Sequence, residues 1–139
     1  MRHVVVDPGV MVSAALSPAG NAAKIIKAVR EGEVALVISS ALLAELDDVL
    51  SRPKLVARIG SAALGDLRAV IAAAPVRDDS PTVVRSRDPK DDYLIALAAE
   101  SGADSLISGD KDLTVLTELV PPVLTPAAFV EQLEEEAGR

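Results

Sequence analysis

The chain contains no cysteine and no tryptophan, and only one histidine, one phenylalanine and one tyrosine. Without cysteine, disulfide bonds, zinc–thiolate sites and cysteine nucleophiles are excluded. The single histidine, His3, leaves almost no material for a histidine-based catalytic triad or a multi-histidine metal site. The scarcity of aromatic rings nearly excludes base stacking on aromatic platforms. Chemistry in this chain must therefore come from oxygen ligands, hydroxyls or lysines.

Long apolar runs are also missing. The chain nowhere has the roughly 18 consecutive apolar residues of a membrane-spanning helix, and its N-terminus becomes polar too soon for a signal peptide. We therefore expect a soluble cytoplasmic protein with no membrane partner. Hydrophobic residues make up 50% of the 139 residues, which is enough to bury an aliphatic core. The length predicts a single domain, residues 1–139.

Positive charge is scarce, since 14 lysines and arginines face 21 aspartates and glutamates and leave a net charge of -7. This balance argues against broad electrostatic capture of nucleic acid. It does not exclude a nuclease, because a bound metal would offset several acids. Three local basic clusters occur, and each is at least as well explained as a solvated helix face or loop: Lys24, Lys27 and Arg30; Arg52, Lys54 and Arg58; Arg85, Arg87 and Lys90.

Short apolar segments alternate with helical patterns. Strands are predicted at residues 4–6, 34–38, 105–108 and 122–124, and helices over about 22–30, 42–50 and 94–99 and from 125 onward. A further helical pattern over 55–73 is interrupted by Gly60 and Gly65, and 75–92 is predicted to be a loop with a brief strand at Val83-Val84. The alternation predicts an α/β fold with a parallel sheet covered on both faces. Ligands of such sheets bind beyond the carboxyl ends of the strands.

Four carboxylates, Asp7, Glu45, Asp92 and Asp110, each lie where an apolar segment begins, ends or turns. Separate elements could therefore bring all four to one edge of the fold. Two like charges about 4 Å apart repel by roughly 4 kcal/mol at an effective dielectric near 20, so converging carboxylates need a cation or raised pKa values. A hard divalent ion supplies that compensation, and we predict a metal site.

Local structure offers a competing explanation for the first two acids. The Asp-Pro-Gly tripeptide at 7–9 is a common turn in which the aspartate bonds its own backbone, so the tripeptide alone does not choose between a turn and a site. Glu45 lies beside the apolar stripe of its helix, but Asp47 and Asp48 flank the same stripe. Periodicity cannot choose among these three acids.

The later acids are also candidates for helix caps. Asp88 and Asp91 carry the capping signals of the helix near residue 90. Capping does not account for Asp92, and we favour a functional role for it at the rim of the sheet. Asp110 and Asp112 both follow a buried strand, and either residue could cap the next helix. Asp110 lies nearer the expected cleft, whereas Asp112 is the better cap or a secondary ligand.

Four segments in order resemble the PIN-domain family, and more narrowly the toxin components of bacterial toxin–antitoxin pairs, the VapC-like ribonucleases. The resemblance covers nearly the whole chain. The segments are VVVD at 4–7, LLAEL at 42–46, DPKDDYLIALA at 88–98 and LISGD at 106–110.

The resemblance implies a ribonuclease dependent on Mg²⁺ or Mn²⁺, built on a three-layer α/β/α sandwich with a short, mainly parallel central sheet. Its acidic quartet would be Asp7, Glu45, Asp92 and Asp110. Asp112 would be an auxiliary acid, and Ser108 would replace the hydroxyl residue often found two positions before the fourth acid. An RNA substrate, an antitoxin partner and a homodimer are also implied.

One departure leaves a second hypothesis open. Family members usually follow the first aspartate with threonine or serine and then asparagine, whereas this chain has Pro8 and Gly9. Loss of such orienting groups can cost roughly 10- to 100-fold in metal affinity or activity. The alternative is a catalytically weakened PIN-like module that binds RNA or a partner protein. A phospho-acceptor domain using Asp7 or Asp110 shares the architecture, but no lysine stands out as its phosphate partner.

Overall fold

A computed structural model of the protein describes residues 1–78, 92–114 and 121–138. The described strands are β1 (Arg2–Val6), β2 (Val34–Leu36), β3 (Ile38–Ser39), β4 (Val76–Arg77), β5 (Ser105–Ile107) and β6 (Val123–Leu124). The described helices are α1 (Pro8–Leu16), α2 (Asn21–Arg30), α3 (Ser40–Leu50), α4 (Pro53–Ile59), α5 (Ser61–Ala73), α6 (Asp92–Ser101), α7 (Lys111–Thr114) and α8 (Pro126–Ala137). None of these helices is long and apolar enough to cross a membrane.

Four strands form a parallel sheet in the order β2-β1-β5-β6. The central strand β1 ends in three valines that are at most 1% exposed, as expected for a strand covered on both faces. The chain passes from β1 to β2 on one side and later to β5 on the other, so the order of the strands reverses at β1. Ligands bind at such a switch point.

Helices cover both faces of this sheet. Right-handed crossovers place α1 and α2 on one face and α6 on the other; α2 packs against β2 and α8, whereas α6 packs against β1 and β5. The core is aliphatic, and Phe129 of α8 is fully buried in it. Tyr93 is partly buried against the same cluster. The predicted three-layer α/β/α architecture is confirmed.

The predicted strand at 34–38 is divided into β2 and β3. Val37 N–H still donates to Val4 O of β1 at 2.8 Å, but Ile38 and Ser39 pair with β4 in a separate two-stranded sheet. Pro75, just before β4, has no N–H to donate and helps to keep that strand short. After β3 the chain enters α3 at the edge of the sheet where β1 ends.

Three local features of the structure differ from those predicted from the sequence. The Asp-Pro-Gly segment begins α1, whereas the sequence predicted only a turn there. Gly65 lies inside α5, so only Gly60, with a φ of +86°, separates two helices. A short strand, β4, lies at the start of the predicted loop. The predicted strand at Val83-Val84 and the capping roles of Asp88 and Asp91 lie outside the described residues.

Candidate active site

Asp7 directly follows β1 and caps α1. Its backbone N–H donates to Ile107 O at 2.9 Å, which fixes the residue between β1 and β5. Its Oδ1 accepts a hydrogen bond from Gly9 N–H at 2.9 Å. Pro8 fits this helix start because the first helical N–H has no intrahelical partner. The aspartate therefore bonds its own backbone, as the tripeptide predicted, and its second oxygen is directed to another element.

That second oxygen contacts Ser108, which follows β5. Ser108 Oγ donates to Asp7 Oδ2 at 2.8 Å and accepts from Asp110 N–H at 3.0 Å. A hydroxyl has one proton and can accept as well as donate, so this one buried group can bond both the carboxylate of Asp7 and the backbone of Asp110. The residue is 0% exposed, and its own N–H donates to Leu124 O of β6. Ser108 thus holds Asp7 and Asp110 in a fixed relation.

Asp110 lies at the start of α7 and is partly buried. Its carbonyl oxygen accepts from Leu113 N–H at 3.1 Å and from Thr114 N–H at 3.0 Å. Because α7 begins at Lys111, Asp112 lies within the helix, and its predicted role as the cap is wrong. The side chain of Asp112 is outside the described part of the structure. Its role as an auxiliary ligand stays a prediction.

Glu45 lies in the second turn of α3, which begins at the edge where β1 ends. Partial burial raises the pKa of its carboxyl, and the charges of Asp7 and Asp48 raise this pKa further, whereas Arg52 lowers it. Charges perturb one another strongly only at short range. The charge of Asp7 is therefore near enough to raise the pKa of Glu45, although the Glu45 side chain is largely exposed.

Asp47 and Asp48, the other two acids beside the apolar stripe of α3, each form an ion pair with an arginine. Asp47 Oδ1 lies 3.5 Å from Arg68 Nη1, and Asp48 Oδ2 lies 3.1 Å from Arg52 Nη2. The Asp47 contact was not foreseeable from the sequence, because Arg68 comes from α5. The Asp48 contact is an i,i+4 pair, which the sequence spacing allows. Tertiary structure thus favours Glu45 over its neighbours.

Asp92 is the first residue of α6 and is 0% exposed. The C-terminus of α6 leads into the start of β5, so its N-terminus lies at the opposite edge, where the strands end. Burial of a carboxylate is costly unless it is paired, hydrogen-bonded or bound to a cation. A fully buried aspartate at the ligand-binding edge of the sheet is therefore a strong candidate for function.

All four predicted acids are at the carboxyl edge of the sheet, but their contacts differ. Ser108 joins Asp7 to Asp110 through hydrogen bonds, and Glu45 is coupled to Asp7 by charge. Within the described ranges, no group of three or more histidine or acidic side chains is gathered as it would be around a metal ion. One contributor, Arg52, was not predicted from the sequence, although its i,i+4 spacing from Asp48 is a signal for the pair. An Asp-Pro pair before an apolar run is a helix-start signal and would have predicted α1.

Comparisons with known proteins agree with this architecture. The chain is 29% identical over 143 residues to an uncharacterized protein of Methanocaldococcus jannaschii, with 95% of this chain and 92% of the relative covered. The crystal structure of PAE2754 from Pyrobaculum aerophilum superposes with a TM-score of 0.64 at 21% identity, covering 96% of this chain and 90% of that one. At this identity the superposition supports the fold.

A model of the PIN domain matches residues 3–112, a range that includes Asp7, Glu45, Asp92 and Asp110. PIN domains form a superfamily of nucleases, so the match supports a nuclease or RNA-related role. Because the match covers most of the sequence, the chain belongs to the PIN-domain family.

Proposed function

We propose that the protein is a metal-dependent endoribonuclease that hydrolyses phosphodiester bonds in RNA. The observation that carries the proposal is the meeting of Asp7, Ser108 and Asp110 at the switch point of the sheet. Glu45, whose pKa is raised by burial and by the charge of Asp7, and the buried Asp92 extend this set along the same edge. Membership of a nuclease superfamily supports the same reaction class.

The chemistry of the donor set fits a hard divalent cation. Asp7, Glu45, Asp92 and Asp110 offer carboxylate oxygens, which suit Mg²⁺ or Mn²⁺, and we assign these four residues as the ligands. A cation bound there supplies an acidified water and neutralises charge on a phosphate. The chain contributes orientation: Gly9 N–H and the Ser108 hydroxyl each hold one oxygen of Asp7, and Ser108 also fixes the backbone of Asp110.

RNA cleavage tests this proposal directly. Purified wild-type protein should cut single-stranded RNA in Mg²⁺ or Mn²⁺ and should not cut it in EDTA. Asp7→Asn and Asp92→Asn should abolish cleavage while circular dichroism shows a folded protein. Asp47→Asn is the matched control, because it removes an exposed carboxylate of α3 that is engaged by Arg68. Cleavage that survives both Asp7→Asn and Asp92→Asn would refute the site.

A second candidate function is favoured by one observation at Gly9. An added Cβ at this position would lie 3.5 Å from Asp7 Oδ1, so a side chain could stand beside this carboxylate, and glycine leaves that space open. The alternative is a PIN-like module that binds RNA or a partner protein with weakened catalysis. It predicts RNA binding without metal-dependent turnover, and robust cleavage that is lost in the acid variants would eliminate it.

The toxin role, with an antitoxin partner and a homodimer, is a further part of the proposal. Its support is that PIN domains often pair with antitoxins. Expression of the wild-type chain should arrest growth, and Asp7→Asn should not. Growth unaffected by an active ribonuclease would remove the toxin role and leave the enzymatic proposal standing. Light scattering of the purified chain tests the dimer.

A further inference from the structure

The acidic edge, defined as Asp7, Glu45, Asp92 and Asp110, poses a problem for an anionic substrate. The whole chain carries a net charge of -7, and RNA binding normally relies on lysine and arginine to neutralise phosphates. A bound cation offsets part of the negative charge at the edge, but a phosphate next to the cut site still needs a positive side chain. The question is which cation of the chain is available there.

Arg52 lies on the same surface as Glu45. Glu45, Asp48 and Arg52 are spaced three and four residues apart, which places successive residues on one face of α3 and its C-terminal extension. Long helical side chains point back toward the N-terminus, and Arg52 Nη2 indeed reaches back to Asp48 Oδ2 at 3.1 Å. The spacing and this contact place the Arg52 guanidinium on the face of α3 that carries Glu45.

The side chain of Arg52 is available for a ligand. It is 62% exposed, and its partner Asp48 is 72% exposed. Such exposed pairs at i,i+4 spacing contribute little to stability. Arg52 precedes α4, but its side chain makes no capping hydrogen bond there. Exchanging Asp48 for a phosphate would therefore disturb little of the fold.

Three other described cations lie in less suitable places. Arg68 contacts Asp47 and also Ser51 Oγ. Lys27 pairs with Glu31 on α2, and Arg30 ends α2 just before β2 begins. The end of α2 is at the edge where the strands start, opposite the acidic edge.

We propose that Arg52 is a substrate-binding residue that holds an RNA phosphate beside Glu45, exchanging its contact with Asp48 for that phosphate. The planar guanidinium matches a phosphate through two parallel N–H···O bonds. The proposal rests on the ribonuclease function proposed above and names the group that binds the RNA backbone. Before RNA binds, Asp48 occupies the place of the phosphate and keeps Arg52 oriented along α3.

The test measures binding of a fluorescently labelled single-stranded RNA by anisotropy. Ca²⁺ replaces Mg²⁺, because it also takes oxygen ligands but at longer distances and without the strict octahedral geometry of Mg²⁺, and a gel confirms that the RNA stays intact. Arg52→Gln removes the charge and keeps the aliphatic stem. Arg30→Gln is its matched control, with the same change of charge at the opposite edge of the sheet. Thermal melting confirms that each variant folds.

Arg52→Gln should weaken RNA binding roughly fivefold, and the slope of log Kd against log salt should fall by about 0.7, the value for one phosphate contact on a single strand. Arg30→Gln should leave both quantities close to wild type. Asp48→Asn should tighten binding, because it removes the competing anion. Its control is Glu31→Gln, which frees Lys27 in the same way at a remote position and should have a smaller effect.

The outcomes separate the two proposals. If wild type binds RNA and Arg52→Gln binds it as tightly as Arg30→Gln does, Arg52 is only a helix ion-pair partner and the inference is overturned. If Asp48→Asn weakens binding, the exchange of partners is overturned. If wild type neither binds nor cleaves RNA, the proposed function fails and the role of Arg52 fails with it.

Discussion

The hydroxyl of Ser108 is the smallest group on which the geometry of the site depends. It is fully buried and makes hydrogen bonds to Asp7 and Asp110 at once. The strand that Ser108 follows, β5, begins with a second buried serine, Ser105, whose Oγ has no hydrogen-bond partner in the described part of the chain. The two serines are a natural pair for comparing a hydroxyl that positions acids with one that does not.

Ser108→Ala should lower the free energy of unfolding by about 1–2 kcal/mol, because it removes a buried hydrogen bond to a charged carboxylate. It should also reduce the stabilisation of the protein by Mn²⁺. Ser105→Ala should be neutral or slightly stabilising, because it removes a buried hydroxyl without a partner. Urea denaturation with and without Mn²⁺ measures both effects, and equal losses in the two variants would contradict the positioning role.

Glu45 predicts a dependence of stability on pH in the absence of metal. Burial and the charge of Asp7 raise its pKa in the folded state above the ordinary 4.5. The folded state therefore binds this proton more tightly than the unfolded state does, and the ionised carboxylate costs stability. The cost is absent below about pH 4.5 and fully present above the raised folded-state pKa.

In EDTA, Glu45→Gln should therefore be more stable than wild type at neutral pH, by less than about 1 kcal/mol because the group is largely exposed. The difference should disappear in acid, below the ordinary pKa of the carboxyl. Melting temperatures across this range measure it, with Glu33→Gln as an exposed control. A variant less stable than wild type at neutral pH would show that Glu45 makes a stabilising contact instead.

At the scale of elements, α3 is the helix that carries Glu45 and places it near Asp7. Its N-cap is Ser39, whose Oγ accepts from Leu42 N–H at 3.2 Å. Ser39 is also the last residue of β3, so the helix starts from a strand end. A second helix, α8, has an equivalent cap in Thr125 but carries no acid of the quartet.

Ser39→Ala and Thr125→Ala should each destabilise the protein by about 1 kcal/mol, since each removes an N-cap hydrogen bond. Only Ser39→Ala should also weaken the response to Mn²⁺, because only α3 carries a proposed ligand. Thermal melting with and without Mn²⁺ measures both effects. An equal loss of metal response in the two variants would mean that general stability, and not the placement of α3, controls the site.

The sequence predicted the alternation of strands and helices because buried valine and isoleucine runs and capped helices are local signals. It placed Asp7 and Asp110 at the ligand edge for the same reason. It could not separate Glu45 from Asp47, because that choice depends on a contact with Arg68 of α5. The pair of Asp48 with Arg52 has i,i+4 spacing and is a local signal that was not used. It missed α1 because Asp-Pro-Gly satisfies both a turn and a helix start, and only the packing of the following residues decides between them.

At the scale of the whole molecule, the core depends on one aromatic side chain. Phe129 is fully buried on α8, and the Arg2 guanidinium lies 6.0 Å from its ring centre. Arg2 also pairs with Glu136 and donates to Gln132 of the same helix. The C-terminal helix is thus tied to the first strand by both apolar and polar contacts.

Phe129→Ala should cost about 3–5 kcal/mol, because it leaves a cavity that aliphatic neighbours cannot fill. That is a large share of the roughly 5–15 kcal/mol that stabilises a typical domain. Leu133→Ala, on the same helix but only partly buried, should cost clearly less. Urea denaturation measures both; a small effect of Phe129→Ala would mean that α8 is not integral to the core.

Tyr93 adjoins Asp92 and is the only tyrosine in a chain without tryptophan. Its ring packs on the core, and its hydroxyl is buried without a hydrogen-bond partner among the described residues. Nearly all of the protein's ultraviolet fluorescence must therefore arise beside one proposed metal ligand. The fluorescence of Tyr93 can therefore be used to follow metal binding near Asp92 in the unmodified protein, without an attached dye.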